Sequence, residues 1–563
     1  MSQLKYLCLF LFCVHVVVVF ATFLESDWTN HGGDLFNRRY AYKEYKISPI
    51  TAPYLKLKWK FFTGKDITAT PTIYNGIIYF PCWNGNIYAI KENDGSLVWK
   101  QNVGELTGLN TSLIINNVKG IVARASPTIA KDLLIIGTYG PCVVMGLKIT
   151  TGELVWMTRL DNHPRALITM SGTYYNGLVQ LIHFILFLTN TFNAVANSKK
   201  RQIGHSSRNI MNYYIGTSSL EEGVTIEECC IFRGSFVKLD AQTGAILWKT
   251  YMLPDNKGMK GEYAGAAIWG SSPSIDIYRK HIYIATGNLY SAPPNILECQ
   301  ERQNNQTTPI DQDACIEPEN HSNSILALDL DNGNIKWYNQ LGGYDVWFLA
   351  CRDASTPNCP PLGPIQDADF GEEPMMLSIF LNGKKKDIVV AVQKSGFAWA
   401  LDRDNGTLVW STVAGPSGTA GGGIFGASTD EKRIYTNIAN SDRRNFELLP
   451  SDMNTTTGGW VSMDASNGKI LWSTANPGNS SAIGPVSVAN DVVFVGSTDS
   501  LGYVYAIYAR NGKILWSYET GATVYGGMSI NNGCIYVGHG YNVSLGFFSK
   551  FTSGNSLFAF CVL

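Results

Sequence analysis

Residues 396–412 read GFAWALDRDNGTLVWST, and this stretch decides the fold. An alternating segment, FAWALD, runs into a turn, DRDNG, and then into a second segment ending on Trp410. Alternation gives a strand one core face. Asn-Gly supplies the positive φ with which a hairpin turns without splaying its strands. The unit recurs as NIYAIKENDGSLVW (to Trp99), VVMGLKITTGELVW (Trp156), SFVKLDAQTGAILW (Trp248), SILALDLDNGNIKW (Trp337), WVSMDASNGKILW (Trp472) and YVYAIYARNGKILW (Trp516). In all seven copies the turn glycine stands four residues before the tryptophan: Gly95, Gly152, Gly244, Gly333, Gly406, Gly468 and Gly512. Unrelated hairpins would not keep one spacing, whereas a repeat architecture does. A tryptophan at a fixed place on the last strand can wedge between neighbouring sheets and still offer its ring N–H to a backbone carbonyl.

Each unit follows a strand pair such as TPTIYNGIIYFPCW (70–83), SPTIAKDLLIIGTYG (126–140) or GPVSVANDVVFVGST (484–498). The two ends of the chain are complementary. LKLKWKFFTG, with Trp59, is a last strand with no partners before it; GGMSINNGCIYVGHGY and NSLFAF (555–560) supply three strands with no fourth after them. Joining them removes an open edge. The expectation is an all-β, eight-bladed β-propeller, its ring closed by the N-terminal outer strand on the C-terminal blade. A seven-bladed ring would leave Trp59 unexplained.

Composition agrees. The 563 residues are 45% hydrophobic and only 16% charged, with 55 glycines and a net charge of −1. That is a turn-rich β chain with a large core, and it gives no support for nucleic acid or an anionic membrane as partner. Residues 1–21 read as a signal peptide: Lys5, an apolar run from Tyr6 to Phe20, then Val19-Phe20-Ala21 as cleavage site. The run is short for a stable membrane span, which needs ~20 residues. The expected domains are therefore the signal, 1–21, and one propeller, 22–563, secreted to the extracellular space.

Secretion gives the cysteines a role as disulfides. Cys351/Cys359 and Cys299/Cys315 each bracket a loop, and Cys229-Cys230 are adjacent, as a vicinal disulfide or as two thiols paired elsewhere. Sequons at Asn110, Asn305, Asn320, Asn454, Asn479 and Asn542 suit a glycoprotein; the one at Asn405 sits in a tight turn. Leu297–Ser324 reads as an exposed polar loop.

The third blade is interrupted. GTYYNG (172–177) should turn at once into NYYIGTSS (212–219), but Leu178–Met211 intervenes, beginning LVQLIHFILFL. So long an insert in a hairpin turn contradicts ordinary loop lengths. It reads as a retained intron or gene-model error, with a genuine surface helix as the alternative.

A propeller gathers loops on one axial funnel, a usual ligand site. The eight histidines lack zinc-ligand spacing, and no G-x-S-x-G, P-loop or Rossmann fingerprint is present. The repeat body, x-ALD-xx-TG-xx-xW, resembles that of the pyrroloquinoline quinone (PQQ) dehydrogenases. WTNHGGDLFNRRY (28–40) resembles their N-terminal signature, and TSSLEEG (217–223), WGSSPSIDIYRKHIYIATGN (269–288) and DADFGEEPMM (367–376) resemble the polyvinyl-alcohol-dehydrogenase-like branch. The resemblance implies PQQ and calcium as cofactors. It makes Trp269 the indole on which the quinone lies, and Glu221 and Asn288 the calcium ligands, with Glu222 as the alternative to Glu221. Asp369 becomes the base that takes the alcohol proton, with Asp345 as its rival. Lys394 becomes the cation at the quinone oxygens, and Arg124, Thr169 and Ser218 the contacts to cofactor carboxylates and carbonyls. The chain departs from the bacterial pattern at Thr68, where relatives carry a glutamate, and in GTAGGGIFGAST (418–429), which lacks an expected asparagine. The implied activity is oxidation of a small-molecule or polymeric alcohol or polyol with an external electron acceptor. The alternative is a non-catalytic binding scaffold built from the same repeats.

Overall fold

The structure, a computed structural model, describes residues 27–109, 120–176, 211–304, 315, 318–341, 345–352, 367–542 and 551–562. The signal segment, residues 178–210, the sequons at Asn110 and Asn305 and Cys359 lie outside the described residues.

Eight four-stranded antiparallel sheets carry the chain. Their first strands open on Thr72, Thr128, Thr173, Ser274, Met375, Ser428, Ser487 and Ser529. The orphan strand finds its place: Lys56–Phe62 pairs with Ser556–Cys561 as the outer strand of the eighth sheet, Trp59 opposite Ala559. A disulfide, Cys534–Cys561, ties that sheet's second and third strands.

The fixed Gly-to-Trp spacing has its cause between sheets rather than within them. Trp59 lies on Gly95 of the next sheet, Trp99 on Gly152, Trp156 on Gly244, Trp248 on Gly333, Trp337 on Gly406, Trp410 on Gly468 and Trp472 on Gly512. A Cβ at Gly406 would sit 2.4 Å from the Trp337 ring, and Gly406 also turns at φ +73°. Glycine is thus required twice over. Six of these rings donate their N–H to the carbonyl three residues before the glycine, as Trp410 does to Ala465 at 3.1 Å. In seven of the eight sheets a small residue stands opposite the tryptophan, such as Ala400 opposite Trp410 or Gly146 opposite Trp156. The alanine of the ALD motif is the slot for the ring. One extra residue in the outer strand, a β-bulge, follows each such pair and aims the indole at the neighbouring sheet.

The third sheet breaks this pattern. Lys238, not a small residue, faces Trp248. Its Nζ donates to the Leu330 carbonyl at 3.1 Å, and Tyr214 Oη donates to the same oxygen. That is the carbonyl the pattern reserves for Trp248, whose buried N–H is left without a partner.

A second organising element is residues 28–41, which follow the inner strands from sheet to sheet. Trp28 bridges Ile73 of the first sheet. The Thr29 carbonyl accepts from Ile129 of the second, and Asn30 donates to Thr173 of the third. The carbonyls of Leu35, Phe36, Arg38 and Arg39 accept from Ile275, Met376, Thr429 and Val488, one each in the fourth to seventh sheets. The Arg39 guanidinium reaches the Met528 carbonyl of the eighth. One short belt touches every sheet.

Two expectations change. The stretch read as an exposed loop from Leu297 begins inside an α-helix, Pro294–Asn304, pinned by Cys299–Cys315. In the third sheet Met211 is already strand, paired with Asn176, and Tyr175 pairs with Asn212. The vicinal bridge Cys229–Cys230 is formed. Cys351 is disulfide-bonded.

Candidate active site

Each sheet offers the axis two positions, just ahead of its first strand and just past its second. Arg124, Thr169, Trp269, Asp367 and Phe425 occupy the former, and Tyr139, Ser218, Lys394 and Tyr541 the latter; they line one open cavity. The positions repeat but, apart from Tyr139 and Tyr541, the residues do not, so the ring presents different chemistry at most bearings.

One half is acidic. Carboxylate oxygens of Glu222, Asp367 and Asp369 lie within 4.8 Å of one another. Lys394 Nζ stands 2.8 Å from Asp367 Oδ1 and 3.0 Å from Asp369 Oδ2, and 5.0 Å over the Trp269 ring. Asp369 Oδ1 accepts the Asn288 N–H, an approach that Gly287 permits because a Cβ there would lie 2.6 Å from that oxygen. Two buried oxygens in this half have no partner: Asp367 Oδ2 and Asn288 Oδ1. Burial pushes the Glu222 carboxyl up to about 7, against Lys394 and with Asp369 and Asp345 adding to the rise. Burial raises Asp367 well above the usual carboxylate range, again against Lys394. Burial also works against the Lys394 charge, but Asp367, Asp369 and Glu222 more than offset it and raise its pKa. Packed carboxylates with free lone pairs and too little positive charge are a donor set for a hard cation.

The other half is cationic and aromatic. The Arg124 guanidinium sits 5.5–5.8 Å from the rings of Tyr139, Phe425, Tyr525 and Tyr541. Its polar contacts include the Tyr541 hydroxyl at 3.4 Å and the Tyr525 hydroxyl, and among the described residues no carboxylate forms an ion pair with it. A half-buried guanidinium without a counter-charge favours an anionic ligand. Beneath Arg124 a smaller chamber is lined by His31, Thr68, Ser126 and Thr169; Thr169 Oγ1 there has no partner.

The structure redistributes several expected roles. Glu221 does not face the cavity: its oxygens accept the N–H groups of Ile231 and Phe232 at 2.8–3.0 Å and lie 3.1 Å from His163 Nε2. It holds the loop after the second strand, and a short 3-10 turn, Glu221–Gly223, puts Glu222 on the cavity wall instead. Asp345 does not face it either. Its carboxylate accepts the N–H groups of Asp367 and Ala368, which shapes the Asp367–Asp369 turn where Asp367 takes φ +60°. Asp369 has both oxygens engaged, whereas Asp367 keeps one free. Asp367 was missed in the sequence because its place beside Asp369 depends on a turn in which Asp367 takes a positive φ, which the Asp-x-Asp spacing does not record. The aromatic half was missed because Tyr139, Tyr525 and Tyr541 lie outside the Gly-to-Trp hairpin, and the strand-end positions of Tyr139 and Tyr541 carry no spacing of their own.

Comparison with known proteins places the chain. A family model described as outer membrane protein assembly factor BamB matches residues 50–190 and 394–547. One described as glucose/ethanol/alcohol dehydrogenase, β-propeller domain, matches residues 215–421, the stretch that supplies the acidic half. A polyvinylalcohol dehydrogenase of Sphingopyxis sp. (strain 113P3) is 27% identical over 95% of this chain and 76% of its own length. Another, of Pseudomonas sp, is 26% identical over 92% and 73%. Among solved structures, a quinohemoprotein alcohol dehydrogenase from Comamonas testosteroni superposes with a TM-score of 0.62 at 18% identity, covering 95% of this chain and 80% of that one. A europium-containing methanol dehydrogenase superposes at 0.64 and 16% identity, covering 95% and 98%. These two share the fold.

Proposed function

The chain belongs to the PQQ dehydrogenase β-propeller family, and from that premise we propose that it is a quinoprotein oxidising an alcohol or polyol, with electrons passed to an external acceptor. The observation that carries this is the opposition, across one cavity, of an acid cluster beside Lys394 and an unpaired Arg124. The residues fit the cofactors. Arg124, Thr169 and Ser218 would hold the carboxylates and carbonyls of PQQ, and Trp269 offers it a flat ring face. Glu222, Asp369 and the free Oδ1 of Asn288 would hold calcium, all hard oxygen donors. Bound there, the quinone would supply a two-electron oxidant that accepts hydride from the alcohol carbon.

The chain's own part is positioning and proton transfer. Asp367 Oδ2, unpaired in the cavity, is the base that takes the hydroxyl proton. Lys394 holds Asp367 Oδ1 so that the other oxygen stays presented, and its fixed charge favours a substrate that becomes more negative as it reacts. Asp345 supports the turn from behind. Titrating the purified protein with PQQ and Ca²⁺, following tryptophan quenching and dye reduction with primary, secondary and polymeric alcohols, tests the reading. Saturable quenching and alcohol-dependent dye reduction are expected. No quenching would leave the scaffold reading, which the match to the assembly-factor model favours.

Secretion is part of the proposal. The signal-like residues 1–21 motivate it, and the bridges Cys229–Cys230, Cys299–Cys315 and Cys534–Cys561 support an oxidising compartment. Secretion would appear as enzyme in the culture medium with the mature N-terminus at Thr22; a retained N-terminus would contradict it. No helix among the described residues is long and apolar enough to cross a membrane. We also propose that Leu178–Met211 is a retained intron. Removing it leaves Tyr175-Asn176-Gly177-Asn212, a two-residue Asn-Gly turn that keeps the observed Tyr175–Asn212 pairing, just as Tyr74-Asn75-Gly76-Ile77 turns in the first sheet. Transcript sequencing decides it, and the segment intact in mature message would defeat it.

A further inference from the structure

We propose that His31, in the N-terminal belt, is a positioning residue for the cavity: through the Phe425 carbonyl it holds the Phe425 ring against Trp269 and Arg124. The Phe425 ring meets Trp269 edge-on at 5.5 Å, lies 5.1 Å from Tyr525 and stands under the Arg124 guanidinium at 5.6 Å. It is therefore the wall shared by the indole and the guanidinium, the two groups that a flat anionic ligand would meet together.

Phe425 reaches this place at a cost. Its φ is +68°, a conformation rarely taken by a bulky residue. Such a conformation persists where surrounding structure over-determines it, and it clusters at ligand sites. Two backbone anchors do this. The Phe425 N–H donates to the Gly371 carbonyl at 2.8 Å, and the Phe425 carbonyl lies 2.7 Å from His31 Nε2. A carbonyl can only accept, so Nε2 carries the hydrogen. Nδ1 is then an acceptor, placed 3.3 Å from Thr70 Oγ1 and 3.4 Å from Ser126 Oγ. Burial and the adjacent Arg39 push the imidazole well below its ordinary pKa, against the Phe425 bond, so it stays neutral with this tautomer. Gly426 completes the fit, since a Cβ there would lie 2.9 Å from Arg39 Cδ and 3.3 Å from His31 Nε2. The belt touches all eight sheets, so the wall it braces is referenced to the whole ring rather than to one loop.

The test uses the full chain with His31→Ala, His31→Gln, Phe425→Ala and the double variant His31→Ala/Phe425→Ala. Gln places an N–H near the position of Nε2 and should rescue. The first readout is hydrogen exchange of the peptide containing Phe425, measured without PQQ. His31→Ala should speed exchange at Phe425 and Gly426 at least tenfold, with His31→Gln and the outer strands unchanged. The second readout rests on the quinone reading. PQQ affinity should fall about tenfold in His31→Ala and recover in His31→Gln, with no further loss in the double variant beyond Phe425→Ala alone. Unchanged local exchange in His31→Ala overturns the proposal, as does acceleration across all sheets, which would mark a merely structural role. An additive loss of affinity in the double variant also overturns it. If wild type binds no PQQ, the quinone reading fails, and the exchange result alone decides this one.

Discussion

The rim and the axis of the ring are built on opposite rules. At the rim one device is repeated: an indole on the next sheet's glycine, with its N–H on a fixed carbonyl. At the axis the same backbone positions carry Arg124, Trp269, Asp367, Lys394 and Tyr541, no two alike. What repeats holds the fold, and what differs between equivalent positions carries chemistry. Third sheet and axis meet in Lys238, where a rim position has been given an axis-like residue and the tryptophan has lost its bond.

If the rule is right, substitutions at the two places should separate cleanly. The largest effect belongs to the axis: Asp367→Asn should lower kcat by about 10³-fold, within the range for loss of a general base, with thermal unfolding unchanged. A parallel loss of Tm would blur the distinction. At the rim, Trp410→Ala should cost about 3–5 kcal/mol of stability while kcat of the folded fraction is kept, read by denaturant unfolding alongside initial rates.

A third test lies between the two. Glu372 and Glu373 are buried just behind the Asp367–Asp369 turn, each with one oxygen unpaired. Burial pushes Glu372 up to about 8 against its backbone hydrogen bonds, and raises Glu373 well above the usual range. Both carboxyls fold protonated, so their contribution is complete below the unfolded value near 4.5 and is lost as pH rises, for Glu372 through about 8. Stability should fall with pH between these limits by up to about 1.4 kcal/mol per unit for each group. Glu372→Gln should flatten that slope, and an unaltered slope would refute the assignment. The smallest effect has the opposite sign. Lys238→Ala should let Trp248 share the Leu330 carbonyl with Tyr214 and stabilise the third sheet by about 1 kcal/mol; destabilisation would show that Lys238 has replaced the rim device rather than spoiled it.

The rim was legible in the sequence because each unit carries one half of two inter-sheet contacts, a glycine for the tryptophan before it and a tryptophan for the glycine after it, so one spacing recurs along the chain. The pairing of Trp59 with the C-terminal strands followed from counting strands. The belt was not legible as a belt, because backbone carbonyls make most of its contacts. Glu221 and Glu222 are adjacent, and only the geometry of a single 3-10 turn decides which one faces the ligand. Asp367 and Asp369 differ in which oxygens the backbone has already claimed, a fact no spacing records.

Arg124 and the Glu222–Asp367–Asp369 cluster lie at opposite sides of the cavity, where one bound PQQ is expected to meet both. Equilibrium dialysis of PQQ against wild type and Arg124→Leu, with and without Ca²⁺, tests it most directly. One PQQ per chain is expected, its binding strengthened by Ca²⁺ and weakened at least tenfold in Arg124→Leu. Binding that ignores both the arginine and the cation, or no binding to wild type, would contradict it.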